Sequence, residues 1–119
     1  MTQGFDVRAS VRYVPISPQK ARLVLDLVRG SDVVEAMDVL KFSRKAAARD
    51  VFKLVRSAVA NAEENFGLNR EDLYIHQIYA DKGPVRFWRR FGARGRFKRI
   101  HRRFSHITVV LREHELETA

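Results

Sequence analysis

Residues 82–103, KGPVRFWRRFGARGRFKRIHRR, carry ten Lys or Arg and no acid. Unpaired charge is far too costly to bury, so this stretch cannot belong to a hydrophobic core. Near its middle lies Gly92-Ala93-Arg94-Gly95, whose two glycines can adopt the positive φ angles that a reversal of direction requires. The pattern predicts a basic β-hairpin, interleaved with Phe87, Trp88, Phe91, Phe97 and His101.

The rest of the chain is electrically ordinary. Of 23 basic residues in the 119-residue chain, removing these ten leaves 13 against 14 acids. The formal charge of +9 therefore belongs to one segment, and a local excess of one sign argues for a polyanionic partner more strongly than a high isoelectric point does. The length suits one domain with a modest core. The chain has no cysteine, which excludes disulfides and thiolate metal sites and permits a reducing compartment. No signal-peptide run or stretch of about 20 apolar residues occurs, and a soluble intracellular protein is expected.

Residues 5–13 alternate, with Phe5, Val7, Ala9, Val11 and Tyr13 apolar, a period of two that predicts a strand with one buried face. Ser17-Pro18 is an N-cap followed by a first helical residue. A helix over 18–29 follows, with Ala21, Val24, Leu25, Leu27 and Val28 inward and Gly30 as its stop. Asp32 and Glu35 form an Asp-led capping box for a short helix ending near Lys41. Ser43 is expected to cap the longest helix, 44–66, with Ala48, Val51, Phe52, Val55, Ala58, Val59, Ala62 and Phe66 as its stripe. Its other face carries Arg49, Lys53, Arg56 and Asn61, which suits water and RNA equally.

Residues 73–80 and 104–111 read as strands, the second apolar on both faces and hence central in a sheet. Pairing 74–91 with 96–112 gives arms of about 55–60 Å at about 3.3 Å per residue. Such arms exceed the helices they could rest on, so the hairpin must project. Gly83-Pro84 is read as a bend or bulge. The expected fold class is α+β: three helices on a small antiparallel three-stranded sheet with a long protruding hairpin. It forms a single domain 1–119, with a body of 5–81 and 104–112, a hairpin of 82–103 and a frayed tail of 113–119.

Eight of the ten cations are Arg, whose planar fork engages two phosphate oxygens or stacks on a base. Trp88 and Phe91 are the candidates for stacking on unpaired bases; Phe87 and Phe97 suit cross-strand packing as well. Enzyme readings lack a footing. There is no phosphate-binding loop ending in Lys-Ser/Thr and no HExxH. His106, on an apolar strand, is expected to be a hydrogen-bonded structural residue. No metal or cofactor is expected.

SPQKARLVLDLVRG, SAVANAEENFG, DKGP and RGRFKRIHRRFSHITVVL resemble the bacterial form of the large-subunit ribosomal protein twenty-two family, over residues 7–112. The resemblance implies a structural rRNA-binding protein of the cytoplasmic ribosome. Its body would lie near the mouth of the polypeptide exit tunnel, and its hairpin would thread through large-subunit rRNA. The tip, Gly92, Ala93, Arg94 and Gly95, would line the tunnel beside other ribosomal proteins and the nascent peptide, at a place associated in the family with macrolide resistance and arrest-peptide sensing. The expected rRNA-binding set is Lys82, Arg86, Arg89, Arg90, Arg94, Arg96, Lys98, Arg99, Arg102 and Arg103, with Lys20 and Arg22 of the SPQKAR segment. No membrane partner or homo-oligomer is expected. Gly92 stands where the family commonly has a basic residue, and Phe104 where it commonly has Thr. From the residues alone, a free-standing β-ribbon regulator of RNA or DNA and an anionic-membrane binder are the other readings.

Overall fold

The computed structural model describes residues 6–83, 86–91 and 97–114. The elements run β1 (Val7–Val14), α1 (Pro18–Val28), α2 (Val33–Phe42), α3 (Ala46–Phe66), a single 3-10 turn, β2 (Leu73–Lys82), β3 (Arg86–Phe91), β4 (Phe97–Arg102) and β5 (Ser105–Glu113). The fold is α+β, as the sequence predicts. A three-stranded antiparallel sheet has the order β1-β5-β2, and β3 pairs with β4 in a second, two-stranded sheet.

Alternation along β5 sets the core: Ser105, Ile107, Val109 and Leu111 are buried, and Ile75, Ile78 and Ala80 of β2 pack beside them. Against this sheet lie Ala21, Val24, Leu25 and Val28 of α1 and an apolar stripe of α3 from Ala47 to Ala62. Leu54, three residues after Val51 and four before Ala58, is buried although the expected stripe omits it, whereas Leu27 and Phe66 are 48% and 47% exposed. Each of these two lies at the margin of its stripe, where a small rotation of the helix decides burial.

Helix starts differ from expectation at two places. The Ser17 hydroxyl does accept from the Lys20 N–H, but Ser43 accepts from Lys45 before the helix begins, and Lys45 occupies the N-cap of α3 with no side-chain cap bond. Asp32 likewise caps nothing with its side chain. Its carboxylate instead meets His114 Nε2 at 2.6 Å, and His114 stacks on Tyr74 while its N–H donates to the Asp72 carbonyl. Residues 113 and 114, expected to fray, are thus held by β5 and this cluster.

The outer edge of β2 is covered from α1 and the loop after it. Arg22 and Arg29 each donate to a β2 carbonyl, of Ala80 and Ile78, both at 3.0 Å. Gly30 and Ser31 exchange backbone bonds with Ile75. An edge satisfied in this way offers no template to a foreign strand.

Pairing continues past the three-stranded sheet. Lys82 lies opposite Ser105, the Gly83 N–H donates to the Phe104 carbonyl at 2.8 Å, and Arg86 lies opposite Arg102. Three residues separate Lys82 from Arg86 but two separate Arg102 from Ser105, the one-residue offset of a bulge. The bend or bulge expected beside Gly83 thus falls where the two sheets join out of step. The molecule measures 74 × 25 × 21 Å with a radius of gyration of 18.0 Å, against about 13.5 Å for a compact domain of this length.

Two outcomes are expected. A Cβ at Gly83 would lie 2.9 Å from the Phe104 carbonyl oxygen, so Gly83→Ala should lower stability by about 1–3 kcal/mol in urea unfolding. At the other end of β5, Arg112 holds Asp6 through two hydrogen bonds of 2.7 and 3.1 Å. The hydrogen bond to Arg112, followed by its charge, lowers the Asp6 pKa. A lowered carboxyl pKa stabilises the fold above the unfolded value, about 3.9, and that contribution is lost as pH falls through the folded value. An NMR titration should place Asp6 below the ordinary aspartate range in the native chain and move it upward in Arg112→Gln.

Candidate nucleic-acid interface

Register decides how charge is arranged on the ribbon. Arg86 faces Arg102, Arg89 faces Arg99 and Arg90 faces Lys98, so three of six cross-strand positions set cation against cation. Like charges directly opposite each other destabilise a strand pair. The remaining positions pair Phe87 with His101, Trp88 with Ile100 and Phe91 with Phe97. The two stacking candidates, Trp88 and Phe91, therefore sit opposite apolar or aromatic residues. The tip residues Gly92, Ala93, Arg94 and Gly95, and Arg96 beside them, lie outside the described residues.

At the foot of the ribbon Lys82 and Arg103 are exposed. Lys20 and Arg103 border a groove of about 940 Å³, whose wall includes Pro15, Ile16, Leu23 and Phe104. Two helices begin here, α1 at Ser17-Pro18 and α3 at Lys45-Ala46, and both contribute to the lining. Arg22 does not share that site; its guanidinium covers the β2 edge. Among the described residues, the ion pairs are Arg29–Asp26, Arg70–Glu63, Arg112–Asp6 and His114–Asp32. None of them engages Lys20, Lys45, Lys82 or Arg103.

Local geometry fixes the groove. Ser105, fully buried, donates from Oγ to the Ile16 carbonyl at 2.6 Å, tying the loop before α1 to the start of β5. Tyr13 adopts a positive φ of 60° at the irregularity in β1–β5 pairing. Its N–H donates to Nδ1 of His106 at 3.1 Å, so the ring proton of the neutral imidazole sits on Nε2. The Tyr13 ring stands edge-on to Phe104 at 6.3 Å. Nothing in an alternating strand pattern announces a left-handed tyrosine, and the groove residues Ile16, Leu23 and Lys45 carried no motif. Lys20 and Arg103 were visible in advance as expected rRNA contacts, and Phe104 as a departure from a family pattern.

An α+β body near electrical neutrality that carries an arginine-rich antiparallel ribbon defines a structural nucleic-acid binder. The sequence model of the family described as ribosomal protein L22p/L17e matches residues 9–112, and the chain belongs to that family. It is 51% identical over 107 residues to the large ribosomal subunit protein uL22 of Caldicellulosiruptor saccharolyticus, covering 90% of this chain and 88% of the relative. The uL22 of Acetivibrio thermocellus is 49% identical over 106 residues, 89% of this chain and 85% of the relative. That of Fervidobacterium nodosum is 48% identical over 115 residues, 95% and 77%. The chain is a structural constituent of the large ribosomal subunit that binds rRNA in translation, in a family that is not one of enzymes.

Replacing Ser105 by Ala removes the donor to the Ile16 carbonyl and leaves that acceptor without its bond. Urea unfolding should show a loss of about 1–3 kcal/mol.

Proposed function

We propose that the ribbon, residues 82–103, lies between helices of large-subunit rRNA and neutralises phosphates that would otherwise repel one another. Its tip, Gly92 to Gly95, lines the polypeptide exit tunnel beside neighbouring ribosomal proteins, where the nascent peptide passes. The observation that carries the reading is the register: Arg opposite Arg, Arg opposite Arg and Arg opposite Lys in one short strand pair, with no acid in the whole segment. Such a pair opposes its own formation, and phosphates on both sides convert the repulsion into attraction.

Roles follow from position. Lys82, Arg86, Arg89, Arg90, Arg94, Arg96, Lys98, Arg99, Arg102 and Arg103 are the phosphate contacts, joined at the foot by Lys20. Trp88 and Phe91 stack on unpaired bases, a mode open to any base because each has a π face. A long basic shaft with a near-neutral body favours this reading over a free-standing regulator, which needs a reading element rather than a spacer.

If most of the ten cations meet phosphate, log K for a large-subunit rRNA transcript should fall against log salt with a slope of about −7 to −9. Deleting 84–102 should flatten that slope. Binding that ignores salt, or affinity untouched by the deletion, would remove the proposal. In the free protein the amides of 86–91 and 97–102 should exchange quickly, and incorporation into the large subunit should slow them.

A further inference from the structure

We propose that the groove at the foot of the ribbon seats one unpaired nucleotide of the bound RNA. Its base lies against Phe104, Ile16 and Leu23, and its flanking phosphates lie on Lys20, Lys45 and Arg103. The inference rests on the ribbon's rRNA-binding role and assigns that RNA a second, distinct point of contact.

The lining has the two halves that a nucleotide needs. Pro15, Ile16, Leu23 and Phe104 make an apolar wall, Lys20, Lys45 and Arg103 make a cationic rim, and among the described residues no acid lines the groove. All three cations stand outside the body's ion pairs among the described residues. The volume of about 940 Å³ falls in the range of small-molecule sites, about 300–1,000 Å³, and is ample for a base with its ribose. An apolar seat ringed by unneutralised positive charge matches a ligand with a flat apolar face and anionic flanks. Unpaired bases splayed from a loop or bulge are that ligand, recognised by stacking on aromatic rings beside basic side chains.

The aromatic element is held in place at a cost. Tyr13 keeps a φ of 60°, a conformation rarely adopted by non-glycine residues and retained where the surroundings enforce it. The enforcing bond is the one to His106, and the result is a Tyr13 ring set edge-on against Phe104. Strained backbone is thereby used to fix one wall of the groove.

A track leads out of it. Lys45, Arg49, Lys53 and Arg56 recur every three or four residues, and so share one face of α3. All four are exposed, over about 16 Å at 1.5 Å per residue. A row of cations continuous with the groove fits a polyanionic chain better than an apolar peptide. On this proposal the same row of cations extends the path of the bound RNA along α3.

The test uses the full chain bound to an in-vitro transcript of large-subunit rRNA, with Phe104→Thr, Phe104→Tyr and Lys20→Gln/Lys45→Gln variants checked for native melting. Wild type should protect an unpaired nucleotide from chemical probing. Phe104→Thr should restore that nucleotide's reactivity and weaken binding about fivefold or more with the salt slope unchanged, and Phe104→Tyr should behave as wild type. The double Lys variant should flatten the slope by about 1–2. Unchanged footprints and affinities in variants of a protein that still binds RNA through 84–102 would overturn the groove assignment alone. Absence of rRNA binding by wild type would overturn the ribbon's role and this inference with it. A photo-crosslinker at Leu23, in reconstituted subunits, should capture RNA; capture of a protein segment would overturn the nucleotide as occupant.

Discussion

Everything in this protein hangs on the antiparallel pairing of β5 along both its edges. Its buried side chains close the core against α1 and α3, while its backbone bonds to β1 and β2 fix their register. The same chain, running backwards from Ser105 through Phe104, is one arm of the ribbon. A force applied to the ribbon by a bound partner is therefore borne by the central strand of the core rather than by a linker. This suits a component whose working part extends away from its own hydrophobic interior.

Charge explains why body and ribbon must differ in kind. The body's acids and bases balance, and its ion pairs lie at the ends of helices and strands. The ribbon sets cation opposite cation at three of its six cross-strand positions. The proposed contact with rRNA would supply the ribbon's counter-charge from outside the chain.

Much of this was legible in sequence because it rests on short-range periodicity. Alternation gave β1, the 3.6-residue period gave α1 and α3, and ten unrelieved cations marked the ribbon. What escaped was set by contacts between segments far apart in the chain. Asp32 reads as a cap until His114 arrives from the far end of β5. Nothing in the sequence announces that Arg22 donates to the Ala80 carbonyl, 58 residues away. The left-handed Tyr13 depends on His106, 93 residues away, and the groove exists only where two helix starts meet the ribbon's foot.

The one-residue offset beside Gly83 gives the two ends of the ribbon different tolerance for insertions and deletions. Along a strand, successive residues point to opposite faces, and the unequal spans 82–86 and 102–105 are reconciled by a one-residue offset in register at the root. Adding residues symmetrically at the tip lengthens the ribbon and leaves both faces as they are. Losing a single residue at the root exchanges the face of Arg86 and Arg90 with that of Phe87 and Phe91. The length of the ribbon is thus open to evolutionary change at one end, and its facing is locked at the other.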